Sequence, residues 1–174
     1  MKTVLEHLKD RHLDVELHRP MVDEVERVAT FFLYNLSGSL VGYQQYRPEG
    51  EKKPNNNPKE GKYFTYKKQS TVAVWGIESL DLTPTVVFLT EGLFDAARLT
   101  HYGVSALAVF GNDPGQDVHN WLSLLNRRVV VVCDGDLAGG KIAKYGDTSL
   151  CLLGGKDLGE CSDDYVNMLL KEFV

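Results

Sequence analysis

Residues 85–103 read TVVFLTEGLFDAARLTHYG, and this stretch decides the fold. The β-branched and apolar run Val86 to Leu89 predicts a strand, Glu91-Gly92 a turn, and Leu93 to Tyr102 a helix, with Gly103 placed to stop it. The unit recurs downstream as strand Ala106 to Phe110, helix Asp117 to Leu125 and strand Val129 to Cys133. Helix Ala138 to Tyr145, strand Leu150 to Leu153 and helix Asp164 to Phe173 follow. Short, fully apolar strands alternating with helices predict a parallel sheet covered on both faces, the α/β class with a Rossmann-like layout.

Upstream of residue 81 the pattern differs, and a small mixed α+β subdomain is expected over 1–80, ahead of the α/β domain over 81–174. Val22, Val25, Val28 and Ala29 recur at a loosely helical spacing and predict a helix. Phe31 to Leu36 and Leu40 to Tyr46, separated by Ser37-Gly38-Ser39, predict a β-hairpin. The segment 48–61, PEGEKKPNNNPKEG, lacks apolar periodicity and reads as an exposed loop. Lys62 to Lys68 alternates aromatic and polar residues at strand period, and Val72 to Ile77 forms a further short apolar segment.

The chain has 174 residues, 43% of them hydrophobic and 25% charged, enough to bury a core. Its formal net charge of −5 argues against binding nucleic acid by bulk electrostatics, so such binding needs a local basic patch or bridging metals. No apolar run approaches the ~18 residues that span a bilayer, and no apolar leader follows Met1, so a cytoplasmic location is expected, the host cytoplasm for a phage-encoded chain. The three cysteines, Cys133, Cys151 and Cys161, form no C-x-x-C pair. Cys133 and Cys151, in apolar runs, read as small buried strand residues.

In open α/β sheets ligands collect at the carboxyl ends of the strands. Here those ends carry acids: Glu91 after the first strand, Asp134-Gly135-Asp136 after the third, and Asp157 beyond the fourth, through Gly154-Gly155. Carboxylates converging on one rim repel unless a cation neutralises them. Hard oxygen donors on glycine-lined turns suit Mg²⁺ or Mn²⁺. Each piece has an ordinary reading, D-G-D as a solvated turn and Glu91 as a helix N-terminal acid, but their strand-end order strengthens the metal reading.

Thr90-Glu91-Gly92-Leu93-Phe94-Asp95 and Asp134-Gly135-Asp136-Leu137-Ala138-Gly139 resemble the Toprim signature of topoisomerases and primases. The likeness is greatest to the catalytic core of DnaG-like bacterial and phage DNA primases, because Asp95 follows Glu-Gly within the helix and the aspartates extend as D-G-D-x-A-G. Lys156-Asp157 with Asp163-Asp164-Tyr165 resembles the terminal lysine-aspartate segment of phage primases. Leu33 to Arg47, Gly61 to Phe64 and Val74 to Ile77 resemble the basic subdomain that precedes Toprim.

The resemblance implies a divalent-metal-dependent nucleotidyl transferase that makes short primers on single-stranded DNA from nucleoside triphosphates. Glu91, Asp134 and Asp136 would be catalytic, Asp157 and Asp95 would join them as metal ligands, and Arg47, Lys62, Lys67 and Lys68 would contact template or nucleotide. A replicative helicase or a separate zinc-binding module are the implied partners, since neither a zinc motif nor a P-loop is present in the sequence. A Toprim nuclease uses the same acidic rim, and a non-catalytic module binding single-stranded DNA or a replication protein is the third reading. Tyr63, Phe64 and Tyr66 beside Lys67 offer ring faces on which bases stack.

Overall fold

The computed structural model describes residues 1–52, 57–68, 71–111, 113–133, 139–152 and 157–174. Two short helices open the chain, α1 (Val4–Asp10) and α2 (Val15–His18). Thr3 and Glu6 form a reciprocal capping box that starts α1, and Asp14 caps α2 by accepting from Glu16 N and Leu17 N. Four antiparallel strands follow, in the order β1 (Met21–Asp23), β2 (Val28–Tyr34), β3 (Leu40–Tyr46), β4 (Tyr63–Lys67).

The hairpin is as expected, with β2 beginning three residues early. Asn35 closes it: its side-chain oxygen accepts from Ser37 N and Ser39 N, while Gly38 takes φ +77°, where a Cβ would be strained. The helix expected across Val22 to Ala29 is absent, and β1, a turn and the start of β2 occupy those positions. Asp23 Oδ1 accepts from Val25 N and Glu26 N, and Arg27 adopts φ +55°, so the local side-chain bond reverses the chain where helical spacing suggested continuity. Val25 is accordingly 90% exposed.

The second sheet is parallel, in the order β6 (Ala106–Ala108), β5 (Val86–Thr90), β7 (Arg128–Cys133), β8 (Thr148–Cys151). Helices α3 (Leu93–His101), α4 (Gln116–Leu124) and α5 (Asp163–Leu170) join and flank it. Every residue of β5 is buried, as a strand covered on both faces requires. One core lies against α3, α5 and the antiparallel sheet through Phe88, Val130 and Phe94, and the other lies under α4 through Val87, Val131 and Leu122. Cys133 is buried as expected, whereas Cys151 is exposed, because β8 is an edge strand whose faces alternate between half-buried and open. Gly139–Tyr145 forms a 3₁₀ helix rather than an α-helix, in keeping with the two glycines that begin it.

Val74 and Trp75 stitch the sheets together. Val74 exchanges backbone hydrogen bonds with Tyr34 of β2, and Trp75 exchanges them with Ala108 of β6. Trp75 is 2% exposed and packs edge-on against Phe31, so the join is filled by the largest apolar side chain available.

Candidate active site

The carboxyl end of β5 is tightly specified. Thr90 Oγ1 donates to Gly92 O at 2.8 Å, and the Phe110 amide donates to Glu91 O at 3.0 Å. These bonds hold the Glu91 backbone between β5 and the chain leaving β6, with the side chain half-buried. Gly92 then caps α3. A Cβ built on it would lie 2.5 Å from Asp95 Oδ2, so glycine is what lets the Asp95 carboxylate fold back over the start of α3.

Asp157 reaches the same place from the far end of the chain. It caps a 3₁₀ turn, Leu158–Glu160, with Oδ1 accepting from Glu160 N at 2.9 Å, and Leu158 anchors that turn in the core. Arg98 of α3 fixes the segment beyond it. Its buried guanidinium donates to Cys161 O at 2.7 Å and to Asp163 Oδ1 at 2.9 Å. Tyr102 also donates to Asp163, and that hydrogen bond, followed by the Arg98 charge, holds the Asp163 carboxyl below its ordinary range.

Glu91, Asp95 and Asp157 therefore line one cavity of about 350 Å³. Its remaining wall comes from the antiparallel sheet through Gln44, Tyr63 and Thr65, and from Arg11 at the end of α1. Arg11 is the residue that sequence reasoning missed. Its guanidinium lies 4.0 Å from the centroid of the Phe94 ring, and Nη1 donates to Tyr63 Oη at 3.2 Å. Burial raises the Tyr63 phenol against the opposing pull of Arg11, so the hydroxyl keeps its proton at neutral pH. The available signal was periodicity: Val4 and Leu8 are buried on α1, and Arg11 continues that face at the next helical interval, where an apolar residue is the ordinary choice.

Three carboxylates, the oxygen donor type that hard divalent cations take, line this cavity, whose floor is relieved of a Cβ at Gly92. Asp134 and Asp136, the other expected ligands, lie outside the described residues. Among the described residues no group of three or more His, Cys, Asp or Glu side chains is placed to hold a metal ion.

None of the four expected basic residues lines this cavity. Arg47 and Lys62 meet at one end of the β3–β4 ribbon, where Arg47 N donates to Lys62 O. Arg47 Nη2 donates to Gln45 Oε1, on the sheet face opposite Gln44. Lys67 pairs with Gly42 at the other end of the ribbon and lines a separate cavity of about 270 Å³ with Asp117 and Pro114; Lys68 follows it, exposed. Among the described residues no helix is long and apolar enough to cross a membrane.

The architecture is that of an α/β protein with a parallel sheet flanked by helices and an antiparallel sheet joined across an acidic cavity. It is the fold of DnaG primase catalytic cores. A solved DnaG catalytic core superposes with a TM-score of 0.70 at 17% identity, over 97% of this chain and 72% of that one. The zinc-binding and RNA polymerase domains of the Aquifex aeolicus primase match with a TM-score of 0.63 at 20% identity, over 97% of this chain and 47% of theirs. A DnaG primase catalytic domain bound to single-stranded DNA matches with a TM-score of 0.62 at 17% identity, over 95% and 60%. The chain thus spans under two-thirds of the last two. No family model and no curated protein matches the sequence.

Proposed function

We propose that this chain is a primase-type nucleotidyl transferase core that synthesises short primers on single-stranded DNA from nucleoside triphosphates in the cytoplasm. The observation that carries the proposal is the convergence of Glu91, Asp95 and Asp157, from two distant segments, on a cavity that also holds Arg11, within a DnaG-like fold. We take 1–80 and 81–174 as its two units, the first supplying cations and the second the acids.

Glu91, Asp134, Asp136 and Asp157 would hold Mg²⁺ or Mn²⁺, with Asp95 beside them. Bound there, the cation would lower the pKa of the attacking 3′-hydroxyl and offset the charge of the triphosphate. In the reaction the 3′-oxygen forms a bond to the α-phosphorus as the bond to the β-phosphate oxygen breaks. Pyrophosphate leaves and the hydroxyl proton passes to water. Arg11, locked over Phe94 and against Tyr63, is placed to bind a phosphate oxygen and orient it, a positioning role. Arg47 and Lys62 contact template or triphosphate from the rim of the ribbon, with Lys67 and Lys68 further along it.

The test is incubation of the protein with single-stranded DNA, labelled nucleoside triphosphates and Mg²⁺ or Mn²⁺, alongside Asp134→Ala and Glu91→Gln controls. Labelled oligomers that both variants fail to make are the expected result. Shortened template that depends on Asp134 would make the chain a Toprim nuclease instead. Neither product, with metal bound and single-stranded DNA retained, would make it a binding module for DNA or for a helicase or zinc-bearing partner.

A further inference from the structure

The three cysteines divide between the two faces of the parallel sheet. Cys133, the last residue of β7, is 1% exposed and belongs to the core under α4 with Val129 and Val131. Cys151, the last residue of β8, is its register partner, so the two side chains leave the sheet on the same face. Cys161 packs instead against the opposite core, and its Sγ donates to Asp157 O at 3.4 Å. A pair of thiols therefore stands at the carboxyl ends of β7 and β8, one residue buried and the other exposed to solvent.

Burial explains Cys133, because a thiol is a small apolar filler. It does not explain Cys151. A stable surface ordinarily omits an exposed thiol, which oxidises, and the other exposed position of β8 holds Ser149. The spacing gives the position a chemical use. Register partners stand about 4.8 Å apart, within the Cα separation of about 4.4–6.8 Å over which a disulfide closes. The Cβ atoms must approach to about 3.8 Å, so closure shifts one strand by about 1 Å. β7 is buried between β5 and β8, whereas β8 is the edge strand, so β8 is the one that yields.

We infer that Cys133 and Cys151 form a modification site at which a hydroperoxide converts the two thiols to a reversible disulfide that lowers activity. The Cys151 thiolate attacks one peroxide oxygen and the O–O bond breaks, leaving a sulfenic acid, and the released hydroxide takes a proton to become water. The Cys133 sulfur then attacks that of Cys151. The S–S bond forms as the S–O bond breaks, and the Cys133 proton leaves with the hydroxide as a second water. Two sulfurs are oxidised and one peroxide is reduced. Asp134 follows Cys133 in sequence, and Leu152, whose amide donates to Cys133 O at 3.1 Å, follows Cys151. Closure therefore pulls on the chain beside a proposed metal ligand, and a strained, exposed disulfide of this kind is readily reduced again. The loss of activity rests on the proposed function; the chemistry at sulfur does not.

The experiment treats the reduced full chain with a small excess of hydrogen peroxide, counts thiols after denaturation and maps the linkage by mass spectrometry of unreduced digests. The three thiols are expected to fall to one, with Cys133 and Cys151 in one linked peptide and dithiothreitol restoring all three. With thermal midpoints matched to wild type, Cys161→Ala should oxidise as wild type does and Cys151→Ala should form no disulfide. Primer synthesis should fall by about tenfold or more in the oxidised chain, the sensitivity of reacting geometry to a displacement of this size, while Cys151→Ala keeps its activity in peroxide. A linkage to Cys161, a dimer bridged through Cys151, sulfinic acid at Cys151 without a disulfide, or an oxidised chain as active as the reduced one would each overturn the inference. The expected linkage in a chain that makes no primer in either state would defeat the proposed function and leave the modification site standing.

Discussion

The guanidinium of Arg11 stacks over Phe94 at 4.0 Å, and this contact joins the first helix of the chain to the helix that carries Asp95. Phe94 also packs edge-on against Tyr46 at 4.9 Å and Phe31 at 5.9 Å. Both halves of the molecule thus share one aromatic wall behind the carboxylates.

Arg11→Ala is expected to raise the KM for nucleoside triphosphate by about tenfold or more, the scale of one charge-assisted hydrogen bond, with a smaller change in kcat. Arg11→Lys should restore little, because an ammonium group cannot hold both the Phe94 ring face and Tyr63 while presenting a planar fork to phosphate. Steady-state primer-extension kinetics read both. An unchanged KM in Arg11→Ala would remove Arg11 from the substrate site.

Gly92→Ala places a methyl group 2.5 Å from Asp95 Oδ2 and must displace that carboxylate. Weaker Mn²⁺ binding by calorimetry and at least about a tenfold loss of activity are expected, the sensitivity of reacting geometry to small displacements. If Mn²⁺ affinity and activity both survive, Asp95 lies outside the metal site.

Arg98→Met should destabilise the fold by about 1–3 kcal/mol through the carbonyl of Cys161, a buried acceptor left unsatisfied. Asp163 contributes less, because its side chain is 67% exposed and water screens the pair. Urea denaturation measures the loss. A midpoint equal to wild type would show that α5 is held without this tie.

His12 sets a pH dependence. Burial, then the charges of Arg98 and His101, lower its pKa from the ordinary 6.5. Between the folded and unfolded values the unfolded chain binds more protons, so stability is complete above 6.5 and is lost as pH falls toward the folded value. His12 has φ +60°, a conformation asparagine tolerates, so His12→Asn isolates the titration. Thermal midpoints from pH 7.5 to 5.5 should slope less in that variant; identical slopes would assign the dependence elsewhere.

Most of the parallel half was legible because β5, β6 and β7 are buried on both faces and so read as apolar runs, and Glu91 followed from the end of one such run. The hairpin was legible from Gly38 in its turn. The stretch from Val22 to Ala29 was not, because a single Asp23 side chain diverts the backbone and leaves the apolar spacing without helical meaning. Arg11 was hidden for another reason: its partners Phe94 and Tyr63 are far along the chain, and only the meeting of the two sheets brings them together.

Phe94 occupies the second position after Gly92 while bearing on Phe31, Tyr46 and Arg11, so the cavity is shaped when the two sheets meet and the chain folds. The ordering entropy of its walls falls on folding rather than on ligand capture. Exchange of the N-terminal half for that of a distant relative would therefore succeed only if the aromatic seam travelled with it, which makes the seam the natural unit of inheritance.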